Sequence, residues 1–300
     1  MFNRASRKQS KLRMTIDGPA GSGKSYTAMR FAHTLRDALA PGGKIAAIDT
    51  ERGSLSKYAG ENPDGTPWDF DVVELQSFSP EKYAEVIQMA GQMGYAVLVV
   101  DSLSHAWEGT GGALDIKDKV SSTTKNNDYT AWRAVTPMHT KMIDAILQSP
   151  CHVITTMRSR QDYVQDTNEF GKVIGIRRVG MAPIQRPGME FEFDVVCDMD
   201  WAHFLTVSKS RCSLIADQRV ERPGPFFLQP LISWLQSGDT TTRPSTPEPV
   251  SAPVAPVKPA ITLDFLMSTY GVDAIMSANG GQIPGTQEEL NLLGDVLGMK

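Results

Sequence analysis

The chain has 300 residues, 41% of them hydrophobic, and a formal net charge of −4. That is enough apolar material for one large packed domain or two smaller ones, and the mild acidity excludes a polybasic coat, so any contact with nucleic acid must come from local patches. No run of about eighteen apolar residues is present, so no membrane span is expected.

Arg4, Arg7, Lys8, Lys11 and Arg13 are basic, but no apolar stretch follows them. Residues 1–11 are therefore expected to be a basic arm rather than a secretory signal. Cys151, Cys197 and Cys212 are an odd, scattered set. That suits a reducing cytoplasm and argues against disulfides and a zinc site.

Leu12 to Asp17 can form a short buried strand. Gly18-Pro19-Ala20-Gly21-Ser22-Gly23-Lys24-Ser25 then has the Gly-x-x-x-x-Gly-Lys-Ser form of the phosphate-binding loop. Gly18, Gly21 and Gly23 can take positive φ and let backbone approach a phosphate without a Cβ in the way. Successive N–H groups then line an anion nest. Lys24 supplies a charge for the β- and γ-phosphates of ATP, and the Ser25 hydroxyl is placed to bind Mg²⁺. The expected nucleotide set runs on to Tyr26. Ala28, Met29, Phe31, Ala32, Leu35, Ala38 and Leu39 recur at helical spacing, which puts a helix N-terminus under the phosphates.

Ala40-Pro41-Gly42-Gly43 breaks the helix, and Lys44 to Asp49 reads as a second buried strand. Phe70 to Leu75 reads as a short strand. Ser79 and Pro80 open a helix running to about Met93, with Tyr83, Val86, Ile87 and Ala90 on one face. Tyr95 to Asp101 is the clearest strand, unalternated as in a parallel sheet buried on both faces. Residues 102–136 read as a polar, Gly-rich segment holding Trp107, Tyr129 and Trp132. Pro137 is expected to open a helix to Gln148, followed by a strand over His152 to Met157. Strands alternating with helices point to an α/β fold with a mostly parallel central sheet.

Arg158 to Gly188 is a long segment, part of it a hairpin turning at Asn168 to Gly171. Alternation returns in Glu190 to Val195 and in His203 to Val207, which read as later strands. Residues 238–260 hold six prolines and read as an extended linker. In 261–300, Thr286-x-x-Glu289 is a capping box before Leu290, Leu293, Val296 and Leu297. About forty residues bury little core alone, so a short helical tail or partner-binding segment is expected.

Asp101 ends an apolar strand downstream of the loop, where a P-loop ATPase keeps the carboxylate that holds Mg²⁺. Glu51, just past the end of a strand, is expected on the ligand-binding edge of the sheet, where it can act as the base that orients water for hydrolysis. The alternative for Glu51 is a solvated loop residue. Arg158, Arg160, Lys172, Arg177, Arg178 and Arg186 could line a groove for a phosphate backbone, with Tyr163 or Phe170 as a stacking surface. A solvated surface loop is the alternative there.

Ile48-Asp49-Thr50-Glu51, Leu98 to Ser102, Val153 to Arg158, and Val207-Ser208-Lys209-Ser210-Arg211 follow the phosphate loop in a characteristic order and spacing. In these motifs, over residues 10–235, the chain resembles the RecA-like recombinase core. It is most similar to the small phage-encoded RecA-like ATPases that act as single-strand annealing proteins. The resemblance implies a RecA-like ATPase core over 12–237 that hydrolyses Mg-ATP and binds single-stranded DNA. Glu51 would be its catalytic glutamate, and Arg158 onward its DNA-facing loop. Thr156 would occupy the sensor position, commonly Gln in RecA recombinases. The resemblance also implies a homo-oligomer with ATP at the subunit interfaces, where Lys209 and Arg211 reach a neighbour's γ-phosphate. A helicase-loading or motor ATPase, or a clamp that binds ATP and DNA without hydrolysis, are the alternative functions.

Overall fold

The apolar runs become the inner strands of one sheet. In the computed structural model these are β1 (Arg13–Gly18), β2 (Ile45–Asp49) and β6 (Val97–Asp101), in which every residue is buried. The structure describes residues 9–61, 65, 67–123, 128–167, 173–237, 272–278 and 284; for 163–167 and 173–179 the description is of the backbone. The chain divides into two units, Met1–Thr241 and Thr242–Lys300.

In the first unit, β5 (Asp71–Glu74), β2, β6, β7 (His152–Thr167), β1 and β9 (Val195–Met199) lie side by side and parallel. The strands flanking β1, which leads into the phosphate loop, are thus β7 and β9, and β6 lies one beyond β7. Beyond β9 the sheet continues with β10 (Phe204–Ser210) and β11 (Arg219–Glu221), both antiparallel to their neighbours. A separate small pair, β3 (Gly60–Glu61) and β4 (Pro67–Trp68), stands off this sheet.

Successive side chains of a strand point to opposite faces, and both faces are covered. On one face Met14, Ile16, Val97, Val99 and Ile154 pack in a single core with α1 (Lys24–Leu39) and α6 (Pro225–Gln236), where Phe31 stacks on Phe227 at 5.6 Å. On the other, Leu98, Val100 and Val153 pack with α2 (Pro80–Gln92) and α5 (Asp128–Gln148). That two-sided burial is why β6 shows no polar alternation. The Ser79 hydroxyl caps α2, accepting from the Lys82 N–H at 3.2 Å.

Two sequence expectations are overturned. Pro137 lies inside α5 instead of opening it, and the polar, Gly-rich segment 102–136 contains α3 (Ser104–Glu108), α4 (Ala113–Thr123) and the first turns of α5. The buried stripe Ala131, Val135, His139, Met142 and Ile146 has helical spacing, but His and small residues dilute its hydrophobic signal. Glu190 to Val195 does not form a strand either. Gly188, at φ 91°, starts a 3-10 turn over Met189–Glu192, and the strand begins only at Val195.

β7 is longer than the sheet needs. Its first half pairs with β6 and β1; from Ser159 onward it pairs with β8 (Val173–Pro183), forming an antiparallel two-stranded arm at the carboxyl edge of the sheet. The expected turn at 168–171 lies outside the described residues, as do the linker 238–260 and the capping box at Thr286 and Glu289. In the second unit, α7 spans Val272–Ala278.

Candidate functional site

β1 delivers the chain to the phosphate loop at Gly18, and α1 receives it at Lys24. Gly18, Gly21 and Gly23 all have positive φ, 153°, 80° and 96°. A Cβ on Gly18 would run into the carbonyl of Met199 at the end of β9, so only glycine allows this approach. Gly23 caps α1 without a side-chain bond, and no acidic residue sits in the helix's first turn. The first N–H groups and the positive helix end are thus left for an anion. The Lys24 ammonium donates to the Pro19 carbonyl at 2.8 Å. Burial pulls it below its ordinary range; Asp101 and Glu51 oppose that pull, and Arg158 adds to it.

Asp101 ends β6 beside the loop. Its Oδ1 accepts a hydrogen bond from the Thr156 hydroxyl on β7, and the Ser25 hydroxyl lies beside the same carboxylate. Burial pushes the Asp101 carboxyl up, and the two hydroxyls partly offset this. Its Oδ2 is buried without a hydrogen-bond partner. An orphaned carboxylate oxygen beside a serine hydroxyl suits a hard cation with oxygen ligands, so Ser25 and Asp101 fit Mg²⁺. No cluster of three His, Cys, Asp or Glu that could hold a metal occurs among the described residues.

Glu51 follows β2, the strand next to β6. Its placement is tightly specified by neighbours. The Asp49 carboxylate accepts from the Glu51 N–H at 2.6 Å and from the Leu55 N–H at 2.8 Å, closing the turn that carries Glu51. The Thr50 N–H donates to the Asp101 carbonyl at 2.8 Å, and its hydroxyl accepts from the Ser102 N–H at 2.8 Å. Glu51 therefore moves only with the end of β6. The Glu51 Oε1 accepts from Arg158 Nε at 3.0 Å, and Arg158 Nη2 stands 2.9 Å from the same oxygen as an ion pair.

Ala20, Gly21, Gly23, Lys24, Ser25, Glu51, Asp101 and Arg158 line one cleft of about 610 Å³, together with Tyr58, Glu108, Ser159 and Ile184. Tyr26 lies edge-on to Tyr58 at 5.9 Å. On the far side of the loop, Ser22, Gly23, Tyr26 and Thr27 join Arg30, His203 and Arg222 around a second hollow of about 390 Å³. Sequence reasoning missed Asp49 and Tyr58. The acidic residue two before Glu51 was a usable signal; Tyr58 had none.

Of the basic residues expected to face DNA, Arg158 departs from expectation: it turns into the cleft and pairs with Glu51. Its position explains this, because Arg158 is the last β7 residue paired with β1, opposite Gly18. Arg160 is exposed on the arm. Arg177 and Arg178 lie on β8 opposite Val164 and Tyr163; their side chains and all of Lys172 are outside the described residues. Arg186 follows the arm, half-buried, its N–H bonded to Gln185 Oε1 at 2.8 Å.

Lys209 and Arg211 lie at the opposite edge of the sheet from the phosphate loop. β10 runs antiparallel to β9, pairing Lys209 with Val196, and the Arg211 N–H donates to the Asp194 carbonyl, level with the start of β1. Lys209 is also tied down: its ammonium donates to the carbonyls of Glu190, Phe191 and Phe193 at 3.0, 2.8 and 2.8 Å. Arg211 is 60% exposed, its Nε 3.4 Å from Asp194. Neither can reach the nucleotide site of its own chain.

No helix among the described residues is long and apolar enough to cross a membrane. No curated protein matches the chain. The profile of a family described as AAA domain matches residues 10–218, well over half of the sequence and spanning the phosphate loop, Glu51, Asp101 and the arm. The protein belongs to this AAA-domain family and is a nucleotide-binding P-loop ATPase.

Proposed function

We propose that the protein is a Mg-ATP-dependent, single-stranded DNA-binding ATPase that promotes strand annealing as an oligomer, of the kind found in phage recombination or replication. One observation carries this reading: a single strand serves both sites. β7 brings Thr156 onto Asp101 and Arg158 onto Glu51, then continues as one leg of the basic arm. With Arg158 turned into the cleft, residues 159–186 hold five basic side chains against three acidic ones, a local excess of two in a chain that is acidic overall. A two-stranded ribbon with such an excess can follow a phosphate backbone without reading sequence.

In this reading the loop N–H groups and Lys24 hold the β- and γ-phosphates, while Ser25 and Asp101 hold Mg²⁺. The cation, when bound, neutralises charge that develops on the phosphates. Glu51 orients the attacking water and takes its proton. Thr156, donating to Asp101 Oδ1, leaves Oδ2 without a protein partner, so that this oxygen would be the one to hold a cation.

The test is a filter-binding salt titration beside an ATPase assay with and without single-stranded DNA. Replacing Arg177 and Arg178 together by alanine is expected to weaken binding to strands of any sequence. The log–log salt slope should shrink by roughly 0.7 per lost phosphate contact. Wild-type affinity and slope in the double variant would make the arm an ordinary solvated hairpin. DNA-stimulated turnover without annealing of complementary strands would point to a loader or motor instead.

A further inference from the structure

Thr50 immediately precedes Glu51, and it grips both polar groups of the peptide that follows Asp101. Its N–H donates to the Asp101 carbonyl and its hydroxyl accepts from the Ser102 N–H, both at 2.8 Å. A hydroxyl has one proton to give. Three acceptors surround this one: His105 Nδ1 at 2.6 Å, the Asp101 carbonyl at 3.1 Å and the Ser102 carbonyl at 3.4 Å. The two carbonyls already accept from other donors, the Thr50 N–H and the Tyr83 hydroxyl at 2.9 Å. The hydrogen-bond network therefore assigns the Thr50 proton to His105 Nδ1, and the ring's own proton to Nε2.

The ring is held for this contact. The imidazole is half-buried on α3 and stacks on Phe78 at 5.0 Å and 27°. The Gly109 N–H donates to the His105 carbonyl at 2.9 Å, and a Cβ on Gly109 would stand 2.8 Å from the Phe78 ring. A glycine there lets the two rings seat. Burial, and after it Arg158, hold the imidazole below its ordinary range, while Glu51 and Asp49 oppose this. His105 is thus neutral near pH 7 and able to accept. It does not line the cleft, so it reaches the reaction only through Thr50.

We propose that His105 is a positioning residue for ATP hydrolysis: its Nδ1 takes the Thr50 hydroxyl proton and so fixes Glu51 against Asp101. With that proton committed to the ring, the Thr50 oxygen presents its lone pairs to the Ser102 N–H, and the ends of β2 and β6 stay in one register. Without the ring nitrogen the hydroxyl turns to a carbonyl, and the clamp on the Asp101–Ser102 peptide loosens. A catalytic group out of place by about 1 Å loses rate, so the effect falls on turnover. This rests on the reading of Glu51 as the base.

The test uses the full chain and two substitutions that separate the ring from its acceptor. His105→Asn keeps an acceptor near the Nδ1 position and loses the ring. His105→Phe keeps a ring and loses the acceptor. In His105→Phe, kcat is expected to fall about tenfold, the worth of one hydrogen bond, with KM unchanged. His105→Asn should keep kcat near that of the parent. A packing role predicts the reverse order, because only phenylalanine can still stack on Phe78. Thr50→Val, which removes the hydroxyl and keeps the shape, should be at least as slow as His105→Phe. Adding His105→Phe to it should cost nothing more, as expected of two residues acting through one bond. The inference is overturned if His105→Phe keeps the parent's kcat, if His105→Asn is the slower of the two, or if the losses multiply in the double variant. Parent-like turnover in Glu51→Gln would instead remove the reading of Glu51 on which it rests.

Discussion

Replacing Glu51 by glutamine is expected to leave nucleotide binding close to wild type while turnover falls by about 10²-fold or more, the usual contribution of a positioned general base. Glutamine keeps the side chain's length and its carbonyl oxygen, so Arg158 retains an acceptor and the turn closed by Asp49 is undisturbed. What disappears is the capacity to take a proton. The loss of the partly exposed ion pair itself costs at most about 1 kcal/mol, too little to unfold the domain. Single-turnover hydrolysis beside equilibrium nucleotide binding separates the two effects. Unchanged turnover would move the base elsewhere in the cleft, and Glu108 on its rim would become the residue to test.

Replacing Lys24 by alanine should act on the other quantity. Lys24 is 9% exposed, its ammonium bonded to the Pro19 carbonyl and already weakened as a cation by burial. It is costly to hold there without an anion. Deleting it should leave the ligand-free domain as stable as before and cut ATP affinity by about 10²-fold, since a hydrogen bond to an ionised group contributes roughly 1.5–3 kcal/mol and each 1.4 kcal/mol is tenfold. Thermal unfolding with and without Mg-ATP reads this directly, because a ligand raises the melting temperature only in proportion to its binding. A wild-type ligand-induced shift in Lys24→Ala would mean that phosphates bind outside the loop.

What could be read from sequence was what is local in sequence. The loop, its three glycines and the strand and helix on either side lie within one short stretch, and the structure keeps them together. Asp101 was legible because it ends an unbroken apolar strand. The Arg158–Glu51 pair was not, because its members are 107 residues apart and meet only through the strand order. Arg158 also resembles the other arm cations in type, and nothing in its neighbours tells a cleft-facing root from an exposed position. Lys209 was misleading for a related reason. Its three carbonyl acceptors belong to the 3-10 turn at 189–192 and the residue following it, a stretch whose alternating Glu and Phe mimic a strand. The helices between 104 and 136 escaped notice because their buried positions use alanine, serine and valine instead of large aliphatics.

The antiparallel run of β10 has a consequence for assembly. It puts Arg211 at one end of the sheet and the phosphate loop at the other. Any arrangement in which that arginine meets a neighbouring copy's nucleotide must therefore join unlike surfaces, the tail of one sheet to the head of the next. A two-fold dimer can make this contact only by laying the two sheets in opposite directions, so that both sites are completed at once. Head-to-tail repetition either closes into a ring or grows as a helix, and the subunit at one free end of a helix would lack a complete site. In such a polymer, the number of complete sites would be one fewer than the number of chains, so activity per chain would rise with length.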